Sequence, residues 1–228
     1  MATTKRKLSK YTAAHPRGGV QLLPKTEKQR EYIEALKGAP QIIVTGPAGT
    51  GKTYIAATKA VQLFQANAVD KIILTRPNVA SGKSLGFFPG SLEEKIGPWI
   101  VPFVEVFEEH LGTEATEIAM KKGNISVVPF EVMRGRTFRN AFVILDEAQN
   151  ATPHELKMFL SRIGENAQCV LNGDIMQSDL KAESGLAKII EIIKKQKLDV
   201  PTIEFTVDDI VRSDICAMWI KAFIKAGI

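Results

Sequence analysis

The run Gly46-Pro47-Ala48-Gly49-Thr50-Gly51-Lys52-Thr53 constrains the fold of this chain more than any other stretch. It matches G-x-x-x-x-G-K-[ST] without a gap. Its glycines let the backbone curl so that successive N–H groups point inward. Such a loop needs a buried strand ahead of it and a helix behind it. Both are present: Gln41–Thr45 contains the continuous apolar run Ile42-Ile43-Val44, and from Lys52 to Ala66 apolar residues recur at helical spacing. A strand apolar on both faces implies a parallel sheet covered by helices on either side.

The same alternation continues along the chain. Strands are expected at Lys71–Thr75, Ile125–Pro129, Ala141–Asp146, Gln168–Asn172 and Thr202–Thr206. Helices are expected at Ser91–Leu111, Pro153–Ile163, Ser184–Lys197 and Val207–Lys225. Ahead of them, Thr26-Glu27-Lys28-Gln29 fits a capping box opening a helix that buries Tyr32, Ile33 and Leu36 and ends at Gly38-Ala39-Pro40. Strands alternating with helices give right-handed βαβ units, hence one doubly wound α/β domain, mainly parallel, over residues 25–228. Trp99, Phe103 and Phe107 recur every four residues, the pattern of a buried helix face. In the last helix, Ile210, Val211, Ile215, Met218, Trp219, Phe223 and Ile224 form a wide apolar stripe, read as facing the core. Its excess width leaves room for a contact between copies.

Charge is concentrated at one end. The chain has a formal net charge of +5, and residues 1–24 supply all of it through Lys5, Arg6, Lys7, Lys10 and Arg17 with no acid. The body is therefore neutral. The basic segment reads either as a flexible solubilising leader or as a contact to a phosphate backbone. Cys169 and Cys216 lie far apart in apolar runs, without zinc-type spacing, as suits a reducing cytoplasm. The expectation is a cytoplasmic protein with no membrane span and no secretory signal, because no apolar run is long enough and no apolar core follows the early basic residues.

The chemistry follows from the loop. Gly46 to Thr53 cradles phosphates, the following helix adds its dipole, Lys52 neutralises β- and γ-phosphate charge, and the Thr53 hydroxyl ligates Mg²⁺. The strand Phe142-Val143-Ile144-Leu145 delivers Asp146, a carboxylate for the Mg²⁺ shell in the Walker-B role, and then Glu147, placed to polarise an attacking water. The next strand ends in Asn172-Gly173-Asp174-Ile175-Met176-Gln177. If it lies between the first strand and the Walker-B strand, Asp174 and Gln177 face the γ-phosphate at the crevice where open α/β sheets bind ligands. The plainer alternative is a polar turn.

Taken together, these residues resemble the PhoH-like family, ATPases related to the motor core of superfamily-one helicases. The resemblance runs from about Lys25 to Ala226. It takes in Thr75-Arg76-Pro77, Gly82, Ser84-Leu85-Gly86-Phe87, Pro89-Gly90-Ser91-Leu92-Glu93-Glu94-Lys95, Met133-Arg134-Gly135-Arg136-Thr137, Asp146-Glu147-Ala148-Gln149-Asn150, Gly173-Asp174 with Gln177, and Asp209-Ile210-Val211-Arg212. It implies a RecA-like P-loop core, ATP binding and hydrolysis, a connection with RNA or single-stranded DNA, and a ring-like homo-oligomer. It also implies that Gln29 reads adenine, in competition with its place in the capping box.

Related helicases hold ATP between two such domains, whereas this sequence accounts for one. A completing arginine would then come in trans from a neighbouring copy in a homo-oligomer such as a hexameric ring. Arg212 is the first candidate, at the expected start of the last helix; Arg134 and Arg136 follow, and Arg76 suits a nucleic-acid strand or another subunit. The leading function is a Mg²⁺-dependent ATPase coupled to RNA or single-stranded DNA. The alternatives are an ATP-switched regulatory or scaffold protein with no nucleic-acid partner and, disfavoured by Glu147, a phosphotransferase.

Overall fold

The computed structural model describes residues 21–77, 92–178, 180 and 184–226. Most of the basic segment lies outside them, as do Gly82, Ser84-Leu85-Gly86-Phe87 and Pro89-Gly90-Ser91. In chain order the elements are α1 (Glu27–Gly38), β1 (Gln41–Thr45), α2 (Lys52–Gln65), β2 (Lys71–Thr75), α3 (Leu92–Leu111), α4 (Thr113–Lys121), β3 (Ile125–Val127), β4 (Ala141–Leu145), α5 (Pro153–Leu160), β5 (Gln168–Gly173), α6 (Gly185–Gln196), β6 (Thr202–Glu204) and α7 (Asp214–Ala226).

The strands form one sheet in the order β3-β2-β4-β5-β1-β6. Every pairing is parallel, with Ile72 opposite Phe142, Ile144 opposite Val170, and Val44 opposite both Asn172 and Ile203. β5 thus lies between β1 and β4, as the placement of Asp174 and Gln177 requires.

Continuous apolar strands are explained by helices on both faces. Ile42, Val44, Ile72, Phe142, Ile144 and Val170 point to one side, against Tyr32 of α1, Ile55 of α2 and Phe103 and Phe107 of α3. Ile43, Ile73, Val143, Leu145, Cys169 and Leu171 point to the other, against Phe159 of α5 and Leu186 of α6. Trp99 packs partly buried beside Phe103, edge to face, so the aromatic series on α3 is a core face. The polar Gln168 is accommodated among these apolar neighbours because its amide donates to Leu36 O and Ala39 O, satisfying carbonyls left open where α1 ends.

Three expectations change. α4 has no counterpart among the expected helices; its nine residues bury little beyond Thr116 and Ala119, too few to form an apolar stripe. The helix expected over Val207–Lys225 splits in two. A capping box between Thr206 and Asp209 closes a single 3-10 turn, Val207–Asp209, after which Ile210 is extended. The Val211 N–H then donates to Gly49 O, pulling this stretch onto the glycine-rich loop, and α7 starts only at Asp214.

Finally, the stripe on α7 does not face the core. Ile215, Met218, Trp219 and Phe223 are 71%, 56%, 54% and 46% exposed, with the Trp219 and Phe223 rings stacked on one another. Helical spacing shows that a face is apolar without showing what it meets.

Candidate functional site

The loop between β1 and α2 takes its shape from three glycines at positive φ: Gly46 (133°), Gly49 (84°) and Gly51 (87°). Gly51 is the N-cap of α2 and makes no side-chain cap, so the first N–H groups of the helix stay open toward the loop. At Gly49 space is as restrictive as φ, because a Cβ there would come within 2.8 Å of Arg212 Cγ. The loop is held from three directions. Gly46 N–H donates to Gly173 O on β5, Phe205 N–H to Thr45 O, and Val211 N–H to Gly49 O. Thr50 is buried, with its hydroxyl donating to Pro47 O, and its carbonyl accepts from Gln29 Nε2 at 2.9 Å.

That last contact redefines Gln29. Thr26 caps α1, accepting from Gln29 N–H, but the reciprocal half of the expected capping box is absent. The Gln29 side chain instead spans from Lys25 N–H, which donates to its Oε1 at 2.7 Å, to the loop. It is buried and lines the cleft, with one amide N–H still to offer.

Above the loop opens a cleft of about 810 Å³ at the C-terminal ends of the strands. The loop contributes Ala48, Gly49, Gly51, Lys52 and Thr53 to its wall. Opposite stand Asp146 and Glu147 from the end of β4, and Asp174 and Gln177 from the end of β5. Arg76, following β2, and Arg212 add two guanidinium groups to the lining. Arg134 and Arg136 are exposed on the turn ahead of β4, outside the cleft wall. Arg212 precedes α7 instead of beginning it, and its stem lies over Gly49 of its own chain.

Lys52 Nζ donates to Gly46 O and, at 2.8 Å, to Pro47 O. Burial lowers its pKa, while Asp174, Asp146 and Glu147 draw it back up. The acids respond in the opposite sense. Burial, then the Glu147 charge, lifts the Asp146 carboxyl from 3.8 to about 6, against the pull of Arg76, a backbone hydrogen bond and Lys52. Burial also raises Asp174. A cation or a hydrogen-bond donor placed here would relieve both.

Mg²⁺ fits the donor set. Asp146 offers a desolvated carboxylate, Thr53 a hydroxyl at the first turn of α2, and a phosphate bound in the loop would supply further oxygens. Among the described residues no three His, Cys, Asp or Glu side chains gather into an all-protein metal site.

Glu147 has φ 51°, in the left-handed region, as the entry to a 3-10 turn at Ala148–Asn150. For a residue with a Cβ this costs about 1–2 kcal/mol. Such strain is common where a side chain must be aimed. Its Oε2 accepts from Gln149 Nε2, and its Oε1 lies 4.0 Å from an Arg76 Nη. Gln149, in turn, accepts from Asp174 N–H at 2.9 Å through Oε1. Sequence reasoning placed Gln149 within a motif without giving it a role. Only its burial beside β5, which depends on strand order, reveals what it touches.

Among solved structures, the chain is similar to the Pif1 helicase from Candida albicans at 17% identity, covering 81% of this chain and 41% of that one with a TM-score of 0.40. Among curated proteins it is 44% identical to a PhoH-like protein of Bacillus subtilis over 91% of this chain and 65% of the relative. It is 40% identical to Protein PhoH of Escherichia coli K12 over 89% of this chain and 58% of the relative. The chain thus spans about three-fifths of the length of these relatives. The family model described as PhoH-like protein matches residues 21–224. Matched over that length, and with a P-loop whose supporting strand and helix are both in place, the chain belongs to the PhoH-like protein family.

Proposed function

We propose that the chain is a Mg²⁺-dependent ATPase. The observation that carries this reading is the aim of Glu147 into the cleft beside Asp146, across from Lys52. A P-loop alone binds nucleotide, whereas a second carboxylate facing it can activate water.

In this reading the triphosphate takes the open N–H groups at the start of α2, and Lys52 exchanges Gly46 O and Pro47 O for phosphate oxygens. Thr53 and Asp146 hold Mg²⁺, which when bound neutralises charge developing on the phosphates. Glu147 accepts a proton from water as the water oxygen attacks the γ-phosphorus. The bond from that phosphorus to the β,γ-bridging oxygen breaks, giving ADP and inorganic phosphate. Asp174 and Gln177 orient the γ-phosphate from β5. Gln29 reads the adenine edge with its remaining N–H. Arg212, lying over its own P-loop, neutralises phosphate in cis. An arginine in trans, if the chain works as a homo-oligomer, is then Arg134 or Arg136 of a neighbouring copy.

Coupling to RNA or single-stranded DNA is part of the proposal. It is supported by the resemblance to helicase motor cores and by the basic segment 1–24. Phosphate release measured with and without single-stranded RNA and DNA tests it, and Glu147→Gln tests the chemistry. The variant should bind ATP normally and lose turnover. Turnover at the wild-type rate in Glu147→Gln refutes the base assignment. Turnover indifferent to every polymer tried points to an ATP-operated switch instead.

A further inference from the structure

We propose that Gln149 is the positioning residue for Glu147, clamping the carboxylate by one end of its amide and fixing it to the γ-phosphate strand by the other. This rests on the reading of Glu147 as the base. The carboxylate belongs to a partly exposed residue in a left-handed turn, where nothing in the backbone alone selects one rotamer. Gln149 supplies the selection. Its side chain is buried at 1% exposure, its Nε2 donates to Glu147 Oε2, and its Oε1 accepts from Asp174 N–H at 2.9 Å. This amide orientation is the one that makes two donor–acceptor contacts; flipped, it would set oxygen against carboxylate and N–H against N–H.

The residue that clamps is itself clamped. Its carbonyl accepts from the hydroxyls of Ser178 and Ser184, both at 2.9 Å, beyond β5 and at the start of α6. Gly173 makes room for both Leu186 and Gln149: a Cβ there would lie 2.5 Å from Leu186 Cδ2, 2.9 Å from Gln149 Oε1 and 3.2 Å from Gln149 N. A movement of Asp174 toward or away from a γ-phosphate is therefore transmitted by one rigid amide to the carboxylate that activates water. Gln149 touches no reacting atom itself; it acts through Glu147.

The test compares Gln149→Met, which fills similar space without a strong donor, and Gln149→Glu, which keeps an acceptor for Asp174 N–H but sets an oxygen against Glu147. Steady-state kcat and KM are measured, together with the Kd of a fluorescent ATP analogue. Gln149→Met is also placed in a Glu147→Gln background and followed in single turnover. Both single variants should lose about 10²-fold in kcat, the lower range for a positioned base, with KM and Kd within about twofold of wild type. In the Glu147→Gln background Gln149→Met should add no further loss, because the carboxylate it served is gone. Additive losses, or losses carried by KM and Kd, indicate a merely structural side chain and overturn the proposal. An active Gln149→Met beside an inactive Glu147→Gln overturns it alone. A Glu147→Gln variant with full turnover removes the ATPase reading beneath it. Should the Gln149 variants fail to fold, Gly173→Ala, whose Cβ would meet Leu186 Cδ2 at 2.5 Å and Gln149 Oε1 at 2.9 Å, presses on the same amide without changing its chemistry. It is expected to lose kcat selectively, and wild-type kcat there also overturns the proposal.

Discussion

Asp146→Asn should stabilise the protein in the absence of nucleotide and magnesium while weakening the site it belongs to. Burial and the neighbouring Glu147 raise the Asp146 carboxyl from 3.8 to about 6. A carboxyl whose folded pKa lies above its unfolded value costs stability wherever it is ionised in the fold. That cost is full above about pH 6, falls as pH drops through that value, and is gone below the ordinary 3.8. The gap corresponds to roughly 3 kcal/mol at neutral pH. Asp146 keeps some contact with solvent, so about 2 kcal/mol should survive screening. In EDTA at pH 7.5, Asp146→Asn should therefore melt about 4–8 °C above the unaltered chain, at the 2–4 °C per kcal/mol typical of this size. The two melting temperatures should converge as pH approaches 4. With Mg²⁺ and ATP the order should reverse, because ligand binding to the folded state stabilises the chain that keeps its carboxylate. Thermal melts across pH, with and without Mg²⁺-ATP, read both effects. A variant no more stable at pH 7.5, or a gap that does not close in acid, refutes the claim that this carboxylate is held desolvated.

Other consequences are independent of that one. Gly51→Ala forces a side chain into φ 87° with its Cβ 2.9 Å from Gln29 Nε2; denaturant titration should show a loss of about 1–2 kcal/mol, and ATP affinity should fall with it. Thr152→Ala removes a complete capping box with Glu155 at the start of α5 and should cost about 1 kcal/mol without changing kcat. Because Arg212 lies over its own Gly49, mixing Arg212→Ala with Glu147→Gln chains should restore no phosphate release; recovered activity would show that the arginine serves a neighbour. Trp219→Glu on the exposed face of α7 should leave the melting temperature within about 1 °C, as surface changes do, whereas a core residue would not tolerate it.

What the sequence disclosed was mostly what is local in the chain. The P-loop is contiguous, and its strand and helix adjoin it, so eight residues announce their own geometry. The buried strands were legible because Ile42-Ile43-Val44 and Phe142-Val143-Ile144-Leu145 are apolar on both sides of the pleat. Asp174 and Gln177 required one topological inference, that β5 lies beside β1, and the sheet order agrees. Where local patterns competed, the sequence misled. Thr26 to Gln29 satisfies the capping-box spacing, yet a buried amide is better matched by the Thr50 carbonyl than by a helix end already near water. Val207, Ile210 and Val211 continue the spacing of α7, yet the Gly49 carbonyl draws that stretch out of helical form. The role of Gln149 depends on a backbone N–H beyond a separate strand, and no window of sequence contains both.

The way the P-loop is secured also sets when it can exist. Gln41 finds its partner in Cys169, and the loop carbonyl of Gly49 finds its donor in Val211, each far along the sequence from the loop. During synthesis the glycine-rich octapeptide emerges early, but β5, β6 and the segment that covers the loop emerge late. Contacts of such long sequence separation form slowly, since the chain must close large loops before they reward it. A growing or truncated chain therefore lacks the architecture that shapes the phosphate cradle. Nucleotide, binding the folded domain and not an unfolded chain, would stabilise only molecules in which β5, β6 and the Val211 segment are already in place.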